Sequence, residues 1–395
     1  MNPSFTAFIT DYLTSLTPQE IKDFMTYEAV SEASGLLSDD FIDANFDFYG
    51  RVMSGREEKR PRWKRAMSLP NSMFGEAVGK LYVEKYFPEE NKEYMLGLTG
   101  HLKEALGKHI RSLSWMSDDT KAKALEKLST FTVKIGYPDK WKDYSEIHID
   151  PTKSYHDNVL EASKWFNKDN RSKLNKPVDK EEWHMTPQTV NAYYNPTTNE
   201  VCFPAAILQP PYFDPNADDA LNYGAIGVVI GHEMTHGFDD SGRKFDKDGN
   251  LAEWWTQEDA ERFNEKADIL VRQFDAIEVL PGIHANGRFT LGENIADQGG
   301  LRVALTAYLD ATKDKPSEEI DGFSPLQRFY LAYANVWAEN SRDEDIQLSV
   351  KSDPHSQGRE RVNATLKNID EFHKAFGIKE GDPMWRAEEE RVVIW

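Results

Sequence analysis

Residues 231–237 read GHEMTHG, and this stretch decides how the rest of the chain is interpreted. Side chains four positions apart lie on one face of a helix, so His232 and His236 can reach the same metal ion. The apolar run at 226–230 predicts that this helix is buried and holds both imidazoles rigidly. Glu233 lies beside that face, where a carboxylate can take a proton from a water on the metal. The alternatives are a chance match, with odds of roughly one or two per cent, and histidines that only satisfy core hydrogen bonds.

A catalytic zinc site has three protein ligands and one open position. The third candidate is Glu293, which begins another predicted helix in the string GENIAD. Asp297 follows one turn later on the same face, where it can accept a hydrogen bond from a ligand histidine. Asp239 and Asp240 are candidates for the same role toward His236. On their own, Glu293 and Asp297 are as often the solvated start of a helix as part of a metal site. Together with the histidine motif, they predict one bound Zn²⁺ ion.

Composition narrows the classes of protein that fit. The chain has 395 residues, 39% of them hydrophobic, which is typical of a soluble globular protein. A formal net charge of −20 argues against a nucleic-acid partner, since phosphate backbones would be repelled. The longest apolar runs are too short for a membrane segment, and the N-terminus has no signal-peptide pattern. Localisation is left open between bacterial cytoplasm, periplasm and secretion. The single cysteine, Cys202, is expected to be a buried structural thiol.

The pattern of elements predicts a mainly α fold with a small β element, an α+β class. Residues 1–180 are predicted to be a mostly helical region that forms the cap lobe and part of the core. It includes a helix capped by Ser117 and ended by Gly136, Tyr137 and Pro138. Residues 181–395 are predicted to form the zinc catalytic domain. It is expected to open with a hairpin of strands at 189–194 and 200–203. Its predicted helices span 221–238, 293–312, 325–340 and 361–376.

Further strings allow a comparison with known families. They read VNAYYNP, FPAAILQPPYF, NYGAIGVVIGHEMTHGFDD, LGENIADQGGL and DPHSQGRERVNATLKN. From about Trp63 onward the chain resembles the neprilysin family of zinc metallopeptidases, close to its bacterial oligopeptidase-like branch. The resemblance implies a two-lobed fold, with a thermolysin-like gluzincin catalytic lobe plus a helical lobe. It also implies a zinc-dependent endopeptidase that cuts short peptides on the amino side of apolar residues.

The same resemblance implies roles for further residues. His355 would stabilise the oxyanion that forms when water attacks the peptide carbonyl. Arg361 would hold a substrate carbonyl, and Asn191 and Ala192 would pair with the substrate backbone as an added strand. The pocket for the apolar side chain would be lined by Ile207, Tyr212, Val228, Val229, Val336 and Trp337. Apart from the resemblance, a histidine or arginine in such polar segments is more typical of a surface, and Val336 and Trp337 of plain core.

Members of the family are longer, and the portion without a counterpart here is N-terminal. The chain is therefore interpreted as a fragment, a shortened natural form, or one half of a split enzyme whose second chain supplies that portion. The main functional alternative is a catalytically silent subunit that binds zinc or peptide and needs its partner. A zinc hydrolase acting on a non-peptide substrate is a third. The intact Glu233 favours an active peptidase, because a silent subunit has no use for the base.

Overall fold

The computed structural model describes residues 3–315 and 318–395, and its elements confirm the predicted mainly α fold. Its α-helices are α1 (Pro3–Ser15), α2 (Pro18–Ala33), α3 (Asp39–Asn45), α4 (Arg62–Met73), α5 (Gly75–Tyr86), α6 (Glu89–Ser112), α7 (Asp118–Ser129), α8 (Tyr155–Ser172), α9 (Asp219–Asn222), α10 (Val228–His236), α11 (Gln257–Asp275), α12 (Leu291–Thr312), α13 (Pro325–Val336), α14 (Asp343–Ser352), α15 (Gly358–Leu366) and α16 (Asp370–Phe376). Its strands are β1 (Thr132–Gly136), β2 (Tyr193–Asn195), β3 (Glu200–Pro204), β4 (Glu278–Leu280) and β5 (Ile283–His284). Among the helices of these described ranges, none is long and apolar enough to cross a bilayer.

Contacts divide the chain into two compact units. The first consists of Met1–Ala66 and Asp143–Val178, and the second of Met67–Lys142 and Asp179–Trp395. The residues predicted to form the metal and substrate sites all fall in the second unit. Residues 67–142, which belong to the first predicted region, also fall there. The domain division at residue 180 stays a prediction.

The first unit has little buried apolar surface of its own. None of the residues of α1, α2 or α3 is buried. Several aromatic side chains on these helices are exposed, among them Phe5 at 62% and Phe24 at 54%. A capping box at Thr17 and Glu20 begins α2. Within their own unit these helices therefore have little packed core, which is the main source of helix stability in folded proteins.

The second unit contains a three-stranded sheet whose order is β1-β3-β2. β1 pairs with β3 in parallel, and β2 pairs with β3 in the antiparallel sense. The predicted hairpin is present, although its first strand is shorter than predicted and begins at Tyr193. β2 has one neighbour and forms an edge of the sheet. All residues of β3 are buried, including the free thiol of Cys202.

Several predicted element boundaries were wrong. β1 was missed, because Gly136 ends a short strand and not the helix, which already ends at Ser129. The helix predicted at 325–340 ends at Val336. The helix predicted at 361–376 is two helices, α15 and α16. Asn368 lies between them, fully buried, and its amide bonds the side chains of Gln273 and Arg386. These tertiary hydrogen bonds stabilise a break that periodicity alone does not indicate.

Candidate metal centre and active site

Two helices, α10 and α12, meet through glycines. A Cβ on Gly231 would lie 2.8 Å from the backbone oxygen of Gly300, and a Cβ on Gly300 would lie 2.5 Å from the backbone nitrogen of His232. Both distances are shorter than van der Waals contact, so the helices approach this closely only where side chains are absent. The contact places the histidines of α10 beside Glu293, in the first turn of α12.

The three predicted ligands converge. Nε2 of His232 lies 3.0 Å from Nε2 of His236. Glu293 completes the triangle, with Oε2 3.2 Å from the first nitrogen and Oε1 3.5 Å from the second. Ligand atoms at zinc-bond lengths of about 2.0–2.2 Å around a tetrahedral ion lie about 3.3–3.5 Å apart. The triangle therefore fits one Zn²⁺ ion, and the two-histidine, one-carboxylate set is of the kind found in catalytic zinc sites.

His232 is oriented from the side facing away from this triangle. Its Nδ1 lies 2.9 Å from Oδ1 of Asp297. An ionised carboxylate only accepts, so Nδ1 carries the proton and Nε2 keeps its lone pair for a metal. Arg361 donates to both oxygens of Asp297, from Nε and from Nη2, each at 2.7 Å. The guanidinium carbon also lies 3.8 Å from the ring centre of Trp337.

His236 has a separate support. Its Nδ1 lies 2.7 Å from Oδ2 of Asp239. The other oxygen of Asp239 accepts the backbone N–H groups of Ser241 at 2.8 Å and Gly242 at 2.6 Å. Asp239, and not its neighbour Asp240, therefore takes the hydrogen bond of this imidazole. Each ligand histidine has its own carboxylate partner.

The two glutamates of the site have pKa values displaced in opposite directions. Burial raises the pKa of Glu233, and the nearby His232 and His236 offset only part of that effect. Burial also acts to raise the pKa of Glu293, but hydrogen bonds from the same two histidines outweigh it and hold this pKa well below its usual range. Paired carboxylates displaced in this way commonly divide the tasks of proton acceptor and permanent anion.

A cavity of about 710 Å³ opens over these residues. It is lined by His232, Glu233, His236, Asp239, Asp240, Glu293, Asp297, His355 and Arg361, together with Asn191, Ala192, Ile207, Tyr212, Val228, Val229 and Trp337. Val336 is the exception among the predicted residues. It is buried with Ala225 and Ala332, and Tyr212 and Trp337 pack against this small cluster. The functional roles of all these residues remain predictions.

His355 approaches the metal triangle from the cavity side. Its Nε2 lies 3.3 Å from Oε2 of Glu293, while its Nδ1 lies 2.6 Å from Oδ1 of Asp353. Its side chain keeps 46% exposure. An exposed ring tip next to the ligands can meet a bound substrate.

Sequence reasoning missed part of the cavity wall. Phe289, Ser241 and Pro354 also line it. Phe289 is 42% exposed and stands just before α12. Its position near the glutamate helix was the one signal that could have drawn attention to it.

The helix pair and its ligand triangle define a zinc-binding protein of the HExxH type. A model of peptidase family M13 matches residues 191–392, and a second model of that family matches residues 1–138. The match thus includes the residues before Trp63, where the sequence alone showed no resemblance. The chain belongs to peptidase family M13, which confirms the neprilysin-like assignment and zinc as the cofactor.

Individual relatives agree with this assignment. Neprilysin-3 of Drosophila melanogaster is 36% identical over all of this chain and 51% of that protein. The neutral endopeptidase of Lactobacillus helveticus is 37% identical over all of this chain and 59% of that protein. The crystal structure of the Mycobacterium tuberculosis zinc metalloprotease Zmp1 in complex with an inhibitor matches with a TM-score of 0.93 at 43% identity, covering 96% of this chain and 58% of that one. The chain thus spans a little over half the length of these relatives.

Proposed function

We propose that this chain is the catalytic part of a zinc-dependent endopeptidase that hydrolyses short peptides. The observation that carries the proposal is the convergence of three ligand atoms, a separate buried glutamate and a sheet edge on one cavity. Relatives named neutral endopeptidase and zinc metalloprotease support it. Zinc held by His232, His236 and Glu293 would polarise a scissile carbonyl and acidify the attacking water.

Glu233 is proposed as the general base. It lies in the cavity wall, and burial raises its pKa, which favours accepting a proton and later giving it to the leaving amine. His355 is proposed to donate to the oxyanion, since its Nε2 faces the cavity next to Glu293. A hydrogen-bond donor to a developing oxyanion typically lowers the activation free energy by about 2.7–4 kcal/mol.

Substrate binding is proposed to use the edge strand and Arg361. A peptide can extend the sheet beyond β2, beginning at Asn191 and Ala192, which line the cavity. Arg361 uses Nε and Nη2 for Asp297, so Nη1 is the nitrogen that these two bonds leave for a substrate carbonyl. The apolar wall formed by Ile207, Val229 and other predicted pocket residues favours an apolar side chain on the carboxyl side of the cut.

The test is cleavage of a short fluorogenic peptide by the purified chain, with and without a zinc chelator. We expect Glu233→Gln to lower kcat by about 10²–10⁴-fold while zinc remains bound. The matched control is Glu265→Gln, the same change at an exposed position of α11, which should leave kcat unchanged. Unchanged cleavage in Glu233→Gln, or cleavage that survives removal of zinc, would contradict the mechanism.

The second candidate is a half-enzyme that is silent until a partner polypeptide supplies the remainder of the fold. The exposed aromatic side chains of α1 and α2 favour it, because such surfaces are usually covered in a folded protein. Stoichiometric zinc without any peptide cleavage by the chain alone would select this candidate. Chelator-sensitive cleavage would reject it.

A further inference from the structure

Lys127 is a buried lysine that the proposed chemistry does not use. It lies on α7 and is only 1% exposed. Its ammonium donates to three backbone carbonyls: Gly237 at 2.7 Å, Gly242 at 2.8 Å and Phe245 at 2.7 Å. A lysine ammonium has three protons, so all of them are used.

The three carbonyls belong to one segment, residues 237–245, which follows the metal helix. Gly237 is the C-cap of α10 and comes directly after His236. Burial lowers the pKa of Lys127 to about 7, and the protonated form is the one that can donate to all three carbonyls. In that form the lysine places a positive charge at the C-terminal end of the helix, where cations are favoured. The rings of Tyr194, Phe238 and Trp254 surround the ammonium at 5.6–5.8 Å from their centres.

The segment is held from both sides at one residue. The ammonium of Lys127 donates to the carbonyl of Gly242, while Asp239 accepts a hydrogen bond from the N–H of that same Gly242. Asp239 in turn fixes the imidazole of His236. A chain of hydrogen bonds thus runs from the buried ammonium through the loop to one ligand of the metal.

The other ligand histidine, His232, is held by a separate set of hydrogen bonds. His232 is oriented by Asp297, and Asp297 is held by Arg361 on α15. The two supports therefore use different residues on different elements. This separation makes the role of the lysine testable.

We propose that Lys127 is a positioning residue of the metal centre: by holding the segment 237–245 it fixes Asp239 and, through it, the orientation of His236. The proposal rests on the proposed zinc site. It does not require that the chain cleaves peptides.

The experiment measures zinc affinity by competition with a chromogenic chelator, so that its readout is independent of peptide cleavage. We compare Lys127→Met, Asp239→Asn, Asp297→Asn and the two double variants that contain Lys127→Met. The loss of a residue that orients a ligand through hydrogen bonds typically lowers metal affinity about 10–100-fold. We expect Lys127→Met to fall in the lower part of that range.

The double variants separate positioning from general stability. With Asp239→Asn, the lysine change should add little further loss, because both act on His236 through the same loop. With Asp297→Asn, the two losses should multiply. The matched control is Lys103→Met, which removes another lysine–carbonyl bond, to Ser129 at the C-terminal end of α7, and should leave zinc affinity unchanged.

Unchanged zinc affinity in Lys127→Met, or losses that multiply with Asp239→Asn, would overturn the proposal. If Lys127→Met does not fold, Lys127→Gln keeps two N–H donors and is measured in its place. If neither variant folds, Lys127 is needed for folding itself, and this result would also overturn the proposal. A wild-type chain that binds zinc tightly but cuts no peptide would defeat the proposed function and leave this test unaffected.

Discussion

Replacement of Gly300 by alanine tests whether the contact between α10 and α12 builds the metal centre. A Cβ at this position would lie 2.5 Å from the backbone nitrogen of His232 and 2.8 Å from the backbone oxygen of Val228. Non-bonded atoms of this kind need about 3.5 Å. Backbone atoms in the middle of a helix cannot swing aside as a flexible side chain can. The helices must therefore separate locally by roughly 1 Å.

This separation would affect the hydrogen bond between His232 and Asp297. Nδ1 of His232 lies 2.9 Å from Asp297, so a separation of that size would break this hydrogen bond, which needs about 3.2 Å or less. We expect zinc affinity to fall about 10–100-fold. We also expect the free energy of unfolding of the metal-free chain to fall by about 1–3 kcal/mol, which is typical of overpacking.

The assay combines urea unfolding of the metal-free chain with zinc competition. Gly97→Ala and Gly100→Ala are the matched controls, because both glycines lie in α6 and a Cβ on either would meet nothing within 4 Å. Each control should stabilise the chain by about 0.5–1 kcal/mol and leave zinc binding unchanged. A Gly300→Ala variant with wild-type stability and zinc affinity would refute the account of the helix contact.

Three further outcomes are expected. Arg361→Met leaves the buried carboxylate of Asp297 without its cation, and urea unfolding should show a loss of about 3–5 kcal/mol; a loss below 1 kcal/mol would contradict the pairing. Burial acts to raise the pKa of Asp259, but hydrogen bonds from surrounding hydroxyl and N–H groups outweigh it and lower this pKa. Its stabilisation is therefore present above its usual pKa of about 3.9 and is lost as pH falls, so the stability gap between wild type and Asp259→Asn should shrink from pH 6 to pH 3; a constant gap would contradict this. Trp337 lines the cavity, so Trp337→Ala should enlarge it. In a competition assay with paired peptides, kcat/KM should rise for peptides with larger apolar side chains relative to those with smaller ones.

The ligands could be predicted from the sequence because their geometry is local. His232 and His236 are one helical turn apart, and Asp297 is one turn from Glu293, so the face that each presents follows from helix periodicity. The pairing of the two helices is a tertiary fact, yet it could be anticipated from the chemistry, since a metal needs a third ligand. The structure brings all of these predicted residues to one cavity.

The missed features share a different physical origin. The strand β1 is short and its residues include Lys134, whose charge does not suggest burial; in the structure its ammonium is paired with Glu200 at 2.9 Å. The break between α15 and α16 depends on hydrogen bonds of Asn368 to residues far away in the chain. The burial of Lys134 and the helix break at Asn368 both depend on partners that are distant in the sequence, and no local pattern reveals such partners.

Lys127 shows why such residues matter for the site. In the sequence it is one of several lysines in an amphipathic helix, where a solvated charge is the usual outcome. Three carbonyls of the segment 237–245, which follows the metal helix, accept hydrogen bonds from the buried ammonium, and they lie more than a hundred residues away in the chain. A ligand motif records which atoms bind the metal, because those atoms must be of particular types. The groups that hold the ligands in place need only supply a donor at the right point in space, so they can come from any element that packs there.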